Sequence, residues 1–170
     1  MPHTIWILTG EKQIGKTTFL QQWVEKRNDV IGFLSPVVGE KRFFYDIEQQ
    51  IFTHIETAST ENENVLVVGR FRFSKEAFEA VEKKILAMLQ KKIDAKILVI
   101  DEIGTLELEQ KKGLCFILIQ LLANPLKFDL LLVVRSSLIT AISQLISTYG
   151  KPYQVFSLAE LKIFLQNLEH

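Results

Sequence analysis

The stretch from Thr4 to Leu20, TIWILTGEKQIGKTTFL, leaves this chain little freedom in how it begins to fold. Ile5, Trp6, Ile7 and Leu8 form an apolar run of strand length, a turn opens at Gly10, and a helix is predicted from around Lys16 through Phe19, Leu20, Trp23 and Val24 to near Asn28. Between strand and helix stands G-x-x-x-x-G-K-S/T: Gly10, Glu11, Lys12, Gln13, Ile14, Gly15, Lys16 and Thr17, with Thr18 behind them. This is the phosphate-binding P-loop pattern, and each position has a physical reason. Gly10 and Gly15 let backbone bend and approach without a Cβ in the way, so successive N–H groups form an anion-binding concavity. The following helix aims its positive end at the same place. Lys16 is expected to reach the β- and γ-phosphates, and the Thr17 hydroxyl to hold Mg²⁺. A lysine-rich surface turn would show the same letters, but not between a strand and a helix, where the mechanism requires them.

The rest of the chain alternates strand and helix. Val30 to Leu34 reads as a strand closed by Ser35-Pro36. Arg42 to Ile47 and Ile51 to Glu56 alternate about a polar centre and predict an antiparallel hairpin inserted on a mostly parallel sheet. His54 within it lacks partners at ligand spacing and reads as surface or edge packing. Ser59 to Asn64 is polar and loop-like, the best place for a mobile segment. Val65 to Val68 is a short strand, and Gly69 to Phe73 leads to Ser74, which caps a helix carrying Ala77, Phe78, Val81, Ile85, Leu86 and Leu89 at helical spacing. Buried strands are predicted at Ile97 to Ile100 and Leu130 to Val134, with a helix from about Leu106 to Leu122 between them. A helix near Ile139 to Ser147, a strand at Tyr153 to Phe156 and a helix from Ser157 complete the pattern. The expected fold is α/β in three layers, a mostly parallel sheet wrapped on both faces.

The chain has 170 residues and is nearly half hydrophobic, enough for one domain with a real core, placed at residues 1–167. Leu168, Glu169 and His170 resemble a tag remnant. Lys and Arg number 20 against 20 Asp and Glu, so no net charge draws the chain to nucleic acid or an anionic membrane. The opening residues lack the pattern of a signal peptide, and the apolar region from Leu114 to Leu126 is too short and too interrupted to span a bilayer. Cys115 reads as a small buried hydrophobe, and a lone cysteine fits a reducing cytoplasm.

A triphosphate site needs a second, acidic half from the sheet's carboxyl edge. KILVI ends in Asp101-Glu102. Asp101 is placed to support Mg²⁺, and Glu102 to orient and polarise an attacking water. An electrophilic arginine is sought at Arg135, at the end of the next buried strand, or at Arg70 or Arg72; each could instead be a structural ion-pair partner.

With GEKQIGKTTFL, Ile31 to Phe33, Gly69 to Glu79 and VIDEIGTLELE at Val99 to Glu109, the chain resembles the nucleoside-triphosphatase family of the THEP type, small P-loop enzymes hydrolysing ATP, GTP and other nucleoside triphosphates. The resemblance implies that Lys16 and Thr17 bind phosphate and Mg²⁺, that Asp101 supports the metal, and that Glu102 activates water, with Gly104 and Glu107 belonging to the same pattern. Two stretches depart from it. Pro36 to Gly39 stand where the family carries an acidic-Val-Arg group, leaving Arg42 to stand in for a second arginine; Leu158, Ala159 and Glu160 replace an Asn-Arg pair. The residues themselves leave three readings open: slow NTP hydrolysis, a small-molecule kinase using the same loop, or a nucleotide-sensing or cofactor-delivery adapter. A protein partner and the base preference are not encoded in any motif.

Overall fold

The computed structural model describes residues 2–168; Glu169 and His170, two of the three tag-like residues, lie outside them, while Leu168 ends the last helix. Five strands run parallel. In spatial order they are β10 (Tyr153–Phe156), β1 (Ile5–Gly10), β9 (Asp129–Arg135), β8 (Ile97–Ile103) and β2 (Val30–Leu34). The predicted hairpin extends this sheet antiparallel: β4 (Lys41–Asp46) pairs with β2, and β5 (Ile51–His54) pairs with β4.

Strands buried on both faces read as unbroken apolar runs, yet their side chains still alternate between faces. Ile5, Ile7, Leu98, Ile100, Leu130 and Leu132 point to one side. There they meet α2 (Lys75–Gln90), α4 (Cys115–Ala123) and α5 (Ile139–Thr148) through residues such as Phe78, Ile85, Ile117, Leu121 and Ile142. Trp6, Leu8, Val99, Leu131 and Val133 point to the other side, against Leu20 and Trp23 of α1 (Lys16–Val24) and Leu161 and Leu165 of α6 (Leu158–Leu168). The chain is therefore the three-layer α/β sandwich expected. Among the described residues no helix is long and apolar enough to cross a membrane.

Local structure departs from the sequence reading in five places. Residues Gly69 to Phe73 are not a plain connection: Phe71–Ser74 forms β7, which pairs antiparallel with β6 (Val65–Val68) in a separate two-stranded sheet. Val37–Val38 forms a two-residue strand, β3, against β4. The helix expected over Leu106 to Leu122 is two, α3 (Thr105–Leu108) and α4, because Lys111 and Gly113 adopt positive φ and break it. Cys115 then opens α4 half-buried, since Leu114, Ile117 and Leu118 take the core positions. Finally, α1 ends at Val24, and the next turn is tighter, Lys26 and Arg27 donating to the carbonyls of Trp23 and Val24.

Gly32 holds the parallel sheet closed at its β2–β8 seam. It sits opposite Val99 with φ near +117°, and a Cβ there would land on the Val99 carbonyl oxygen, a backbone atom with nowhere to go. Gly32→Ala is expected to cost about 3 kcal/mol and to lower Tm by roughly 10 °C in a thermal melt. An unchanged Tm would contradict this seam.

Candidate functional site

Because β1, β2, β8 and β9 are parallel, their carboxyl ends open on one edge, and the ladder places Gly10 opposite Arg135. From Gly10 the chain turns through Glu11 to Gly15 and enters α1 at Lys16. Gly15 is the N-cap residue, in left-handed conformation with φ 95° and no side-chain cap, and the first turn holds no acidic residue. The first amides of α1 are thus uncapped by any side chain and carry the helix's positive end. Lys16 is buried and curls back so that Nζ donates to the carbonyls of Gly10 (2.9 Å) and Glu11 (2.6 Å). Its ammonium is held over its own loop by neutral acceptors, which an anionic oxygen would outbid.

Asp101 joins three elements. One carboxylate oxygen, Oδ2, accepts from the Thr17 hydroxyl (2.7 Å) and from the Ser35 amide (3.2 Å), while the Ser35 hydroxyl donates to the Asp101 carbonyl. The side chain is 1% exposed. Burial, and after it the Glu102 charge, pushes the carboxyl up to about 6; the bonds from Thr17 and Ser35 and the Lys16 charge oppose the shift. At the next residue the ladder to β9 slips, Asp101 opposing Val133 and Ile103 opposing Val134, so Glu102 is the extra residue. Glu102 is about one-third exposed and bound by Arg135, whose Nε and Nη2 both reach Oε1, at 3.1 and 3.0 Å. The Ser136 hydroxyl, next along, donates to the Glu11 carboxylate at 2.8 Å and ties the end of β9 to the loop.

The two halves found in the sequence therefore meet. Lys16, Thr17, Asp101, Glu102 and Arg135 share one edge, and a cavity over the loop is walled by Lys12, Gln13, Thr18, Ser35 and Glu102. Ser35 was missed: it reads as the end of a strand, although a serine directly after a buried strand at this edge is the available signal. Arg72 and Arg70 do not join the site. Arg72 donates to the Ser59 carbonyl and pins the polar segment, and Arg70 lies over the Phe71 ring. His54 is exposed beside Glu56. Among the described residues no group of three or more His, Cys, Asp or Glu could hold a metal. The oxygen pair of Thr17 and Asp101 suits Mg²⁺, which takes one or two protein oxygens and completes its shell with phosphate and water.

Against this geometry, the profile of a family described as NTPase matches residues 5–159. The chain belongs to this NTPase family, of the THEP type. Nucleotide binding and triphosphate hydrolysis are the general activity that membership carries. The NTPase is similar in fold to the crystal structure of THEP1 from the hyperthermophile Aquifex aeolicus, with TM-score 0.70 and 19% identity over 97% of this chain and 96% of that one. It is similar also to the solution structure of a human cancer-related nucleoside triphosphatase, with TM-score 0.60 and 17% identity over 92% of this chain and 88% of that one. A comparison with curated proteins found no match.

Glu107, which the family pattern brings to this region, has a structural occupation in this NTPase. Oε2 accepts the Gly104 amide at 2.9 Å and Oε1 the Leu114 amide at 3.0 Å, stapling α3 to the start of α4. Burial pushes its carboxyl up to about 7, against the pull of those amides. The folded state then keeps a proton that the unfolded chain, with an ordinary value of 4.5, has released. This contribution is full below the ordinary value and lost as pH rises toward 7, by on the order of 3 kcal/mol at most. Tm of the nucleotide-free protein is expected to fall across that window, and more shallowly in Glu107→Gln. Equal slopes in the two proteins would contradict the staple's titration.

Proposed function

We propose that this NTPase hydrolyses a Mg²⁺-bound nucleoside triphosphate, ATP or GTP, to the diphosphate and phosphate, working as a single domain in the cytoplasm. The observation that carries the reading is the Thr17–Asp101–Ser35 junction, which puts Glu102 beside the loop that would hold the triphosphate. Backbone amides from Gly10 through Glu11, Lys12, Gln13, Ile14 and Gly15 to Thr18 surround the phosphates. Lys16 leaves the carbonyls of Gly10 and Glu11 and moves to the β- and γ-phosphate oxygens. Thr17 and Asp101 are the residues that would hold Mg²⁺. Bound there, the metal would supply charge neutralisation to the triphosphate.

Glu102 accepts a hydrogen bond from water and aligns it with the γ-phosphorus. The water oxygen bonds to phosphorus, the bond to the β–γ bridging oxygen breaks, and the water's proton passes to Glu102. Arg135 orients Glu102 in the state described and is close enough to the edge to answer charge on the γ-phosphate. That it is engaged with Glu102 supports a slow reaction, because an arginine committed to the γ-phosphate is worth roughly three to five orders of magnitude. Exposed Val37 and Val38 along the cavity's rim offer no side-chain donor or acceptor to a base edge, which supports a broad base preference.

Glu102→Gln is expected to retain nucleotide affinity and to lower phosphate release by about a hundredfold or more. Lys16→Ala is expected to abolish the thermal shift that Mg²⁺-nucleotide produces. A panel of ATP, GTP, CTP and UTP, read for thermal shift and for phosphate release, checks both. Undiminished release by the Glu102 variant would remove it as the base, and a full shift in the Lys16 variant would move the site off the loop.

A further inference from the structure

A second cavity adjoins the phosphate cavity, and hydrolysis makes no use of it. Its wall is aromatic. Phe44 and Phe78 pack edge to face with centroids 4.9 Å apart, Phe73 lies 6.0 Å from Phe78, and Phe71 lies nearly parallel to Phe73, at 10°. With Ile55 and Leu106 these rings line a cavity of about 100 Å³ that opens to solvent. Ser35, Arg42, Glu102 and Arg135 belong to both cavities, so the Glu102 carboxylate stands between them. An apolar hollow with a few convergent polar groups is the ordinary form of a small-molecule site.

The charges around the hollow are already matched. Arg42 lies over the Phe71 ring at 4.4 Å and 3.8 Å from Glu56; Arg135 is paired with Glu102; both Glu107 oxygens accept backbone amides. An occupant with its own net charge would find no counter-charge to spare. Both contacts from Arg135 fall on Oε1 of Glu102, which leaves Oε2 free to accept a hydrogen bond. A hydroxyl group supplies that bond.

We propose that this cavity holds a second substrate, an uncharged small alcohol with a planar apolar body, and that the alcohol accepts the γ-phosphoryl group. The planar part lies against the phenylalanines and the hydroxyl meets Glu102 Oε2. The hydroxyl oxygen bonds to the γ-phosphorus, the bond to the β–γ bridging oxygen breaks with its electron pair leaving on the diphosphate, and the hydroxyl proton passes to Glu102. This rests on the reading of the loop and Glu102 given above, and free phosphate is what forms when water takes the alcohol's place.

The test incubates the full chain with Mg²⁺ and γ-labelled ATP, adding benzyl alcohol or naphthalenemethanol, or methylnaphthalene as the control without a hydroxyl. Ligand binding is followed in parallel by saturation-transfer NMR. The expected result is binding of the alcohols and label on their phosphate esters, while methylnaphthalene slows the release of free phosphate. Val68→Phe, which fills the cavity from its rim, should weaken binding of naphthalenemethanol by about tenfold or more and leave the nucleotide-induced thermal shift in place. Phe71→Ala, which removes part of the wall, should weaken it likewise and guards against misfolding of the first variant. Alcohols that neither bind nor take label, with thermal shift and phosphate release intact, would overturn the second substrate alone; so would binding with label only in free phosphate. Loss of the thermal shift in the wild-type chain would instead overturn the reading of the loop.

Discussion

One carboxylate oxygen on Asp101 carries the geometry of this edge. It lies almost wholly out of water and takes hydrogen bonds from a side chain in α1 and a backbone amide after β2, groups separated from it by 84 and 66 residues. A buried carboxylate without partners would be expensive, so the three segments must arrive together for the arrangement to be tolerated. The shared oxygen therefore fixes the start of α1, the exit of β2 and the end of β8 relative to one another. Glu102, the next residue along the chain, inherits that position.

The parallel sheet makes the junction possible. Strands that run the same way deliver their carboxyl ends to a common edge, and helices on both faces hide the rest of each strand. The ladder slip after Asp101 then separates two adjacent acids by environment. Asp101 turns inward to Thr17 and Ser35; Glu102 stays part-exposed in the wall between a polar cavity and an aromatic one, held by Arg135. Neighbouring carboxyls in such different surroundings can take different tasks.

Much of this could be read from the sequence because it depends on local pattern. The loop glycines, the apolar strand runs and the Asp101-Glu102 strand end each stem from backbone geometry or burial over a few residues, and the hairpin from Arg42 onward stems from alternation. The features that escaped depend on distant contacts. The strand at Phe71–Ser74 exists because β6 pairs with it, and nothing in FRF distinguishes it from a linker before a helix. The helix break at Lys111 to Gly113 is obscured by the apolar residues on either side, and Glu107 becomes a staple only when Leu114 is brought beneath it. Ser35 and the pairing of Arg135 with Glu102 are likewise products of the sheet order. The aromatic cavity combines residues from the hairpin, β7, α2 and α3, which no spacing in the chain connects.

The most direct examination of the central claim is a crystal structure of the chain with Mg²⁺ and a non-hydrolysable ATP analogue. The account predicts that Lys16 Nζ leaves the carbonyls of Gly10 and Glu11 for β- and γ-phosphate oxygens, that the metal sits between Thr17 and Asp101, and that Glu102 faces the γ-phosphate. A triphosphate bound elsewhere, with Lys16 still on those carbonyls and Thr17 still bonded to Asp101, would contradict it.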